Sequence, residues 1–589
     1  MRIAITGAGI VSAIGNDKAS VLQRLRDGET GIGAMHFLHS THTELPVGEV
    51  KLSDDELKAK AGIDANKTIS RTALLGIEAA RQAIDEAGLH TGMKVDDIPQ
   101  RIVFISGTTV AGMDITERYF DEATDGGCGD CSFIRQHECG RNTETIANYF
   151  GLFEASTTIS TACSSAANAI ALGARMIEMG EADIAVAGGT EALSRFHLDG
   201  FNSLMILDHE LCRPFDATRA GLNLGEGAGY VVLEKADAAE RRGAKTLAYL
   251  TGYGNACDAF HQTASSDNGE GSYLAMKEAL ATAGLDPSDI QYINAHGTGT
   301  PSNDKSESAA IRRVFGDKIP PTSSTKGATG HTTSASGGIE TVISILAIQH
   351  NLIPGNTGWR NADEQCITPT VHTTEAKVDN VMCNSFGFGG NDTSLIISRN
   401  AEEHKPKEKL YSCHEAARVV IDSEDALGEI REYATPMEAR RMGKLAKSAM
   451  ISSRKALAAA GIDVPDAIIT ATRFGCLANT ERMLMQVKTS GEETVSPTDF
   501  MQSTHNTIGS AIAIKLKCHG YNSTYSHGTM SLDWAMRDTK MLIESGQCKS
   551  VLVGLHDEMP EAFGSIFARA GEENLPRLRS EAIVVTVDS

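Results

Sequence analysis

The sequence predicts a layered α/β fold divided into several domain-sized units. Three observations predict it: a length of 589 residues, a long alternation of apolar runs with helical patterns, and a partial return of that series near the C-terminus. A chain this long exceeds one ordinary core, so two to four units are expected.

The chain opens on an apolar strand, Ile3-Ala4-Ile5, followed by Gly7 and Gly9. Arg71 to Ala87 is the first strong helical pattern: Leu74, Leu75, Ile77, Ala80, Ala83 and Ile84 share one face, and Gly88 is placed to end it. Ile102-Val103-Phe104-Ile105 and Ile184-Ala185-Val186-Ala187 are short apolar runs ending near glycine, as buried strands do. This alternation implies layers of sheet and helix. A charged, Pro-containing stretch, Ala401 to Lys409, reads as a linker, assigned to residues 401–412. The units are then 1–250, 251–400 and 413–589.

The last unit repeats part of the first. Arg441 to Ala460 gives a helical pattern ending at Gly461, and Ala467-Ile468-Ile469 and Thr480-Glu481-Arg482 echo Ile102 to Ile105 and Thr116-Glu117-Arg118. Met541 to Gly546 and Val551 to Gly554 then follow as Met176 to Glu181 and Ile184 to Gly188 do. A shift of 366 aligns Gly180 with Gly546 and sets Thr529 opposite Cys163. Two unrelated α/β segments of similar period are the alternative, but an ordered series favours duplication.

Composition narrows the function. No run approaches eighteen apolar residues, so no membrane span is expected, and the N-terminus lacks the features of a signal peptide; cytoplasm is the default. A formal charge of −22 argues against nucleic acid, although a local basic patch could still dock an acidic partner. Twelve scattered cysteines suit a reducing compartment rather than a disulfide framework. Cys128 and Cys131, with His137 and Cys139, offer zinc-like ligand types, but their spacing favours a surface loop with unremarkable cysteines.

Thr161-Ala162-Cys163-Ser164-Ser165 places a cysteine among small residues at a strand-to-helix turn, where a helix N-terminus favours thiolate and small neighbours leave room for an acyl group. Alone, it could equally be a buried structural cysteine. Asn294-Ala295-His296-Gly297-Thr298-Gly299-Thr300-Pro301 and Lys326-Gly327-Ala328-Thr329-Gly330-His331 add two histidines on small-residue loops, which favours chemistry over structure. Asn384-Ser385-Phe386-Gly387-Phe388-Gly389-Gly390 adds a Gly-rich loop with two phenylalanines, able to supply a backbone N–H and a movable aromatic lid.

With these four ordered motifs, residues 1–400 resemble the β-ketoacyl-acyl carrier protein synthases of the elongating, Cys-His-His type. The resemblance implies a thiolase fold of two similar layered halves. It implies that Cys163 carries the acyl group, that His296 and His331 stabilise the enolate formed on decarboxylation, and that Lys326 and Glu340 support them. The N–H groups of Cys163 and Phe388 would form the oxyanion hole, and Phe388 would gate the second substrate. Thr298 and Thr300 would hold the phosphopantetheine arm, and Val110, Phe201 and Phe386 would face the substrate. The implied reaction is a decarboxylative Claisen condensation of malonyl-carrier with a Cys-bound acyl chain, in fatty acid, aryl-polyene or polyketide elongation, with no metal or cofactor. The implied partner is acyl carrier protein, with Lys67 and Arg71 as docking candidates. The family segment that usually carries Asp after Arg reads Arg219-Ala220 here, which should alter local hydrogen bonding only. A biosynthetic thiolase using acyl-CoA and a non-catalytic chain-length-factor subunit are the alternatives.

In the last unit Thr529 stands where the nucleophile belongs, without an activating partner. Ser496-Pro497-Thr498-Asp499-Phe500-Met501-Gln502-Ser503-Thr504-His505-Asn506 resembles truncated synthase-like domains of aryl-polyene and flexirubin systems, which act as chain-length factors. His505 is expected to be a structural turn histidine. The whole is therefore expected as a homodimer or as an intramolecular synthase/chain-length-factor-like pair.

Overall fold

The computed structural model describes residues 1–403, 409–573 and 575–588. Residues 404–408, the centre of the linker read at 401–412, thus lie outside the described residues. Among the described residues, fifteen strands form one mixed sheet, five from each of three units. Unit 1 supplies β1 (Ile3–Ser12), β2 (Ile102–Gly107), β3 (Ala155–Ile159), β4 (Ile184–Glu191) and β5 (Gly227–Lys235). Unit 2 supplies β6 (Ala248–Cys257), β7 (Tyr292–Asn294), β8 (Thr322–Ser323), β9 (Asn380–Gly387) and β10 (Asn391–Ser398). Unit 3 supplies β11 (Cys413–Ile421), β12 (Ala467–Ala471), β13 (Tyr521–Tyr525), β14 (Ser550–Glu558) and β15 (Leu578–Val587).

Unit 1 runs in the order β1-β5-β4-β2-β3, unit 2 as β6-β10-β9-β7-β8, and unit 3 as β11-β15-β14-β12-β13. In each, the first two pairings are antiparallel and the last two parallel. The repeat is therefore threefold. Unit 2 escapes a sequence comparison because its β7 and β8 are only three and two residues long, too short to show a period. The boundary read at 250/251 falls inside β6, since no shift of composition marks the start of that strand at Ala248.

Helices fill the layers. α1 (Arg71–Ala87), capped by Gly88 in the left-handed region, lies on the outer face against β1, β4 and β5. α2 (Ser165–Glu178) and, in unit 2, α4 (Ser336–His350) pack on each other between the sheet halves and are buried nearly all round, which is why their sequences carry little polar face. A shorter helix, α3 (Arg195–Ser203), follows β4. The unit 3 helix read from Arg441 begins instead at Lys444 (α5, Lys444–Ala460); Met442 and Gly443 are extended, and Arg441 closes a separate turn from Pro436.

Unit 3 docks on unit 1 edge to edge. Tyr525 of β13 pairs antiparallel with Ile159 of β3. Ser160 N donates to Thr524 O at 2.9 Å and Ser526 N to Thr158 O at 3.0 Å. Residues 158, 159 and 160 thus pair with 526, 525 and 524, which are the counterparts, 366 residues on, of 160, 159 and 158 respectively, and Cys139 Sγ lies 3.7 Å from Nε2 of His505, its own counterpart 366 residues on. Such reciprocity is the mark of a twofold axis. Unit 3 thus occupies the free edge of the unit 1 strands, at β3. Its helix α7 (Ser531–Glu544), following α6 (Thr507–Leu516), has exposed Asp533 and Lys540.

Cys128 and Cys131 are joined to each other in a disulfide, rather than being unremarkable or metal-bound. His137 instead meets the Thr116 hydroxyl at 3.1 Å. No helix among the described residues is long and apolar enough to cross a membrane.

Candidate active site

The same turn recurs at the head of the sheet in all three units. Ala162 (φ +53°), Thr333 (φ +45°) and Gly528 (φ +58°) each adopt the left-handed region and lead through a short 3-10 turn into α2, α4 and α7. For Ala162 and Thr333 this costs on the order of 1–2 kcal/mol apiece, whereas glycine adopts it freely. The turn presents Cys163 in unit 1, Ser334 in unit 2 and Thr529 in unit 3. Cys163 and Ser334 are buried, while Thr529 is exposed.

Unit 2 brings both histidines to the thiol. His331 Nε2 stands 3.1 Å from Cys163 Sγ, and its Nδ1 meets the Ser336 hydroxyl at 3.1 Å. That hydroxyl donates or accepts, so His331 can present either a lone pair or a hydrogen at Nε2. The His296 ring lies 5.3 Å from the His331 ring and nearly perpendicular to it. Lys326 Nζ sits 3.3 Å from His296 Nδ1 and donates to His296 O at 2.6 Å and to Glu340 Oε1 at 2.5 Å. Because the ammonium only donates, His296 Nδ1 accepts and its hydrogen is on Nε2. The ligating atoms of Cys163, His296 and His331 all lie within 4.8 Å of one another.

Burial dominates the electrostatics. It pushes the Cys163 thiol up to about 11, against the Lys326 charge and the N–H groups of Phe388 and Cys163 that favour the thiolate. The helix N-terminus therefore does not make a resting thiolate, contrary to the expectation from sequence. Both imidazoles are held well below the usual histidine range, first by burial, then by Lys326 and by a neighbouring imidazole. Burial likewise raises the Glu340 carboxyl, with Lys326 opposing it. The resting pair is thus neutral thiol and neutral His331. Iodoacetamide alkylation followed at the Cys163 peptide is expected to rise about tenfold per pH unit from roughly pH 7 to pH 10; a plateau from pH 7 upward would contradict it.

Cys163 lies between two cavities. Thr298, Thr300, Phe386 and Ala220 line the outer one with His296 and His331; Val110, Phe201, Phe196 and Phe500 line the inner one. Phe201 and Phe388 border both, their rings stacked at 5.7 Å. Phe388 is half-buried, and its loop turns at Gly389 (φ +82°), where a Cβ would stand 2.0 Å from Ser510 Oγ of unit 3. Arg219 meets Asp363 at 2.5 Å and the Asp216 carbonyl at 2.9 Å, which secures the segment around Ala220.

Several members of the site were not read from sequence. Glu307 accepts from His296 N (2.9 Å) and Gly297 N (2.7 Å), which holds the first histidine loop; an acid in the helix begun by Pro301 was its only signal. Asn506 of unit 3 donates to Phe388 O at 2.9 Å and to Asn391 Oδ1 at 3.2 Å. Phe500 meets the Phe201 ring at 5.2 Å. Nothing in the sequence links unit 3 to Phe388 and Phe201, because the link exists only after docking. His505 lines the inner cavity beside Cys139. Arg71 cannot dock a carrier: it is 7% exposed and pairs with Glu226 at 2.6 Å and Asp54 at 2.8 Å. Lys67 is exposed.

A thiol beside a neutral imidazole, with backbone N–H groups aimed at its sulfur and an apolar chamber behind it, defines an acyl-transferring, carbon–carbon bond-forming machinery on the thiolase fold. The chain belongs to the β-ketoacyl synthase family. It matches the beta-ketoacyl synthase N-terminal domain over residues 1–239, the C-terminal domain over 247–360, and an N-terminal domain again over 416–576. It is 35% identical over 416 residues to 3-oxoacyl-[acyl-carrier-protein] synthase 2 of Coxiella burnetii, covering 68% of this chain and 98% of that relative. Among solved structures, the ishigamide ketosynthase/chain length factor is 32% identical over 68% of this chain and 99% of that one, with a TM-score of 0.62. The PfaC keto synthase-chain length factor aligns with 100% of this chain and 78% of its own at a TM-score of 0.81; at 17% identity that likeness bears on the fold alone. The protein is an acyltransferase of the condensing class.

Proposed function

We propose that this chain condenses a Cys163-bound acyl group with malonyl carried on the phosphopantetheine of acyl carrier protein, in the cytoplasm, and that unit 3 acts as its built-in chain-length factor. The observation that carries the reading is the position of Cys163, 3.1 Å from His331 and at the mouth of a cavity closed by unit 3.

In the first half-reaction the Cys163 sulfur attacks the acyl thioester and its proton passes to His331 Nε2. The oxyanion takes the N–H groups of Cys163 and Phe388, and the carrier thiol leaves with the proton from His331. The second thioester then enters past Phe388, with Thr298 and Thr300 along its arm. Loss of carbon dioxide leaves an enolate that His296 Nε2–H and His331 stabilise. Its carbon attacks the Cys163 thioester, forms the new bond and expels the thiolate, which takes up one proton from solvent. Lys326 and Glu340 position His296, and no cofactor enters. Removing one donor from a developing oxyanion costs roughly 3–4 kcal/mol.

Unit 3 sets the depth of the inner cavity. Phe474, Thr480, Phe500, Ser503 and Thr504 come from it, and Phe500 lies against Phe201 and Gly200, where a Cβ would meet the Phe500 ring at 2.1 Å. An aromatic wall of Phe196, Phe201, Phe474 and Phe500 suits a flat, conjugated chain, which favours aryl-polyene elongation over saturated fatty acids. A thiolase is disfavoured because Cys163 is the lone cysteine among the described residues lining either cavity.

Intact-mass analysis of products formed from acyl- and malonyl-carrier proteins tests the reading. Condensation with release of carbon dioxide is expected; condensation of acetyl-CoA without malonyl would overturn it. In the same assay Phe500→Ala is expected to shift products by at least one further two-carbon step, with Phe500→Leu intermediate. An unchanged distribution from folded variants would remove unit 3 from chain-length control.

A further inference from the structure

A second polar cluster lies between units 1 and 3, on the side of α3 away from the thiol. Asp199, on α3, is 1% exposed, and neither of its carboxylate oxygens has a hydrogen-bond partner. Burial without a partner is unfavourable for such a group. His42 Nε2 lies 3.9 Å from Asp199 Oδ1 and 3.4 Å from Asn202 Nδ2, while His42 Nδ1 lies 3.4 Å from Glu44 Oε1. Glu492 arrives from unit 3. Its Oε2 accepts from Ser40 Oγ (2.5 Å), Thr41 N (2.8 Å) and Thr41 Oγ1 (2.9 Å), and its Oε1 lies 3.9 Å from Arg195 Nη1. One ligating atom from each of His42, Asp199 and Glu492 falls within 4.8 Å of the others. Asp199 and Glu492 also line a cavity shared with Thr41, Glu117 and Lys488.

The charges around this point leave room for a cation. Arg195 is shared between Glu117 (3.8 Å) and Glu492 (3.9 Å), and Lys488 turns to Asp125 at 2.5 Å. Asp199 keeps only the imidazole edge of His42. A single ion between the three side chains would give the Asp199 carboxylate the partner it lacks and offset the surplus of acids.

We propose that His42, Asp199 and Glu492 form a binding site for a divalent transition-metal ion, of the zinc or manganese class, that clips unit 3 onto unit 1. The imidazole nitrogen favours such an ion over magnesium or calcium, which take oxygen ligands. A metal here holds α3, and α3 carries Phe196 and Phe201 of the inner cavity wall. Occupancy therefore stiffens the acyl chamber without touching the reacting atoms.

The test uses the untagged full chain with Cys163→Ala, which removes the thiol ligand from the active site. After chelation and titration with zinc, manganese or magnesium by calorimetry, one equivalent of zinc or manganese is expected per chain, with a rise in Tm and much weaker binding of magnesium. Asp199→Asn and, separately, the more peripheral His42→Ala are expected to weaken that binding at least about 10-fold. Absence of stoichiometric binding in the parent protein would overturn the proposal and leave Asp199 as a buried neutral acid. So would binding that both variants leave unchanged.

Discussion

Cys163→Ala is expected to abolish acyl-enzyme formation and to lower condensation by at least about ten-thousand-fold, as loss of a nucleophile does elsewhere. The protein should fold normally, since the change removes one buried sulfur at a turn whose backbone alanine tolerates. Decarboxylation does not need the Cys163 sulfur, so the two losses separate. His296 and His331 remain in place, and the variant is expected still to release carbon dioxide from malonyl-carrier without making product. Intact mass of the protein after incubation with acyl-carrier reads the first effect, and carbon dioxide release reads the second. An acyl adduct on the variant would displace Cys163 from its role. Retention of both histidines matters for pH as well. Their pKa values lie well below the ordinary range, so both stay neutral as pH falls through 6.5. The acid limb of the rate profile is accordingly expected below that of a free imidazole.

The second large effect concerns the junction of units 1 and 3. Arg175 of α2 is 2% exposed and Asp538 of α7 is fully buried; Arg175 Nη1 stands 2.5 Å from Asp538 Oδ1. Tyr521 donates to Asp538 Oδ2 at 2.8 Å, and the guanidinium lies 4.7 Å from the Tyr521 ring centre. Arginine cannot shed its proton, so Asp538→Ala leaves an unpaired buried cation and is expected to cost about 3–5 kcal/mol. Chemical denaturation and limited proteolysis around residues 401–412 measure it, with unit 3 released at lower denaturant than in the parent chain. The double change Arg175→Met with Asp538→Leu removes both charges together and is expected to recover most of the loss. A cost below about 1 kcal/mol for Asp538→Ala would show that the pair is solvated in solution.

Residues close in sequence carry much of the site. Cys163 announced itself by small neighbours at a strand-to-helix turn, and His296 and His331 by their glycine-flanked loops, because a reactive side chain at a sheet edge needs tight turns and space around it. The relation of unit 3 to unit 1 was legible for the same reason: its strands and helices kept their apolar periods, and Gly528 kept the left-handed turn that Ala162 adopts under strain. In unit 2 the residues themselves showed only two histidine motifs, and its likeness to unit 1 came from the family resemblance alone. Its short strands hid a strand order identical to that of its neighbours.

The basic patch was misread in part, since Arg71 proved to be an internal clamp on Glu226. A charge in a helical pattern does not reveal which carboxylate folds over it. The thiol was also misjudged in its electrostatics. A helix N-terminus acts over one turn, while desolvation depends on everything packed around the sulfur, and here burial prevails.

Local patterning, then, determined the alternation of layers, the nucleophile turn, the two histidine loops and the return of the pattern after residue 413. Tertiary structure alone decided that His331 faces the sulfur at 3.1 Å, that Lys326 sets the hydrogen of His296, and that Asn506 and Phe500 reach across from unit 3 to the Phe388 loop and the inner cavity. The division has one physical cause. Turns and amphipathic faces are short-range properties of the chain, whereas burial, charge partners and cavity walls arise from residues hundreds of positions apart that meet only when the sheet closes edge to edge.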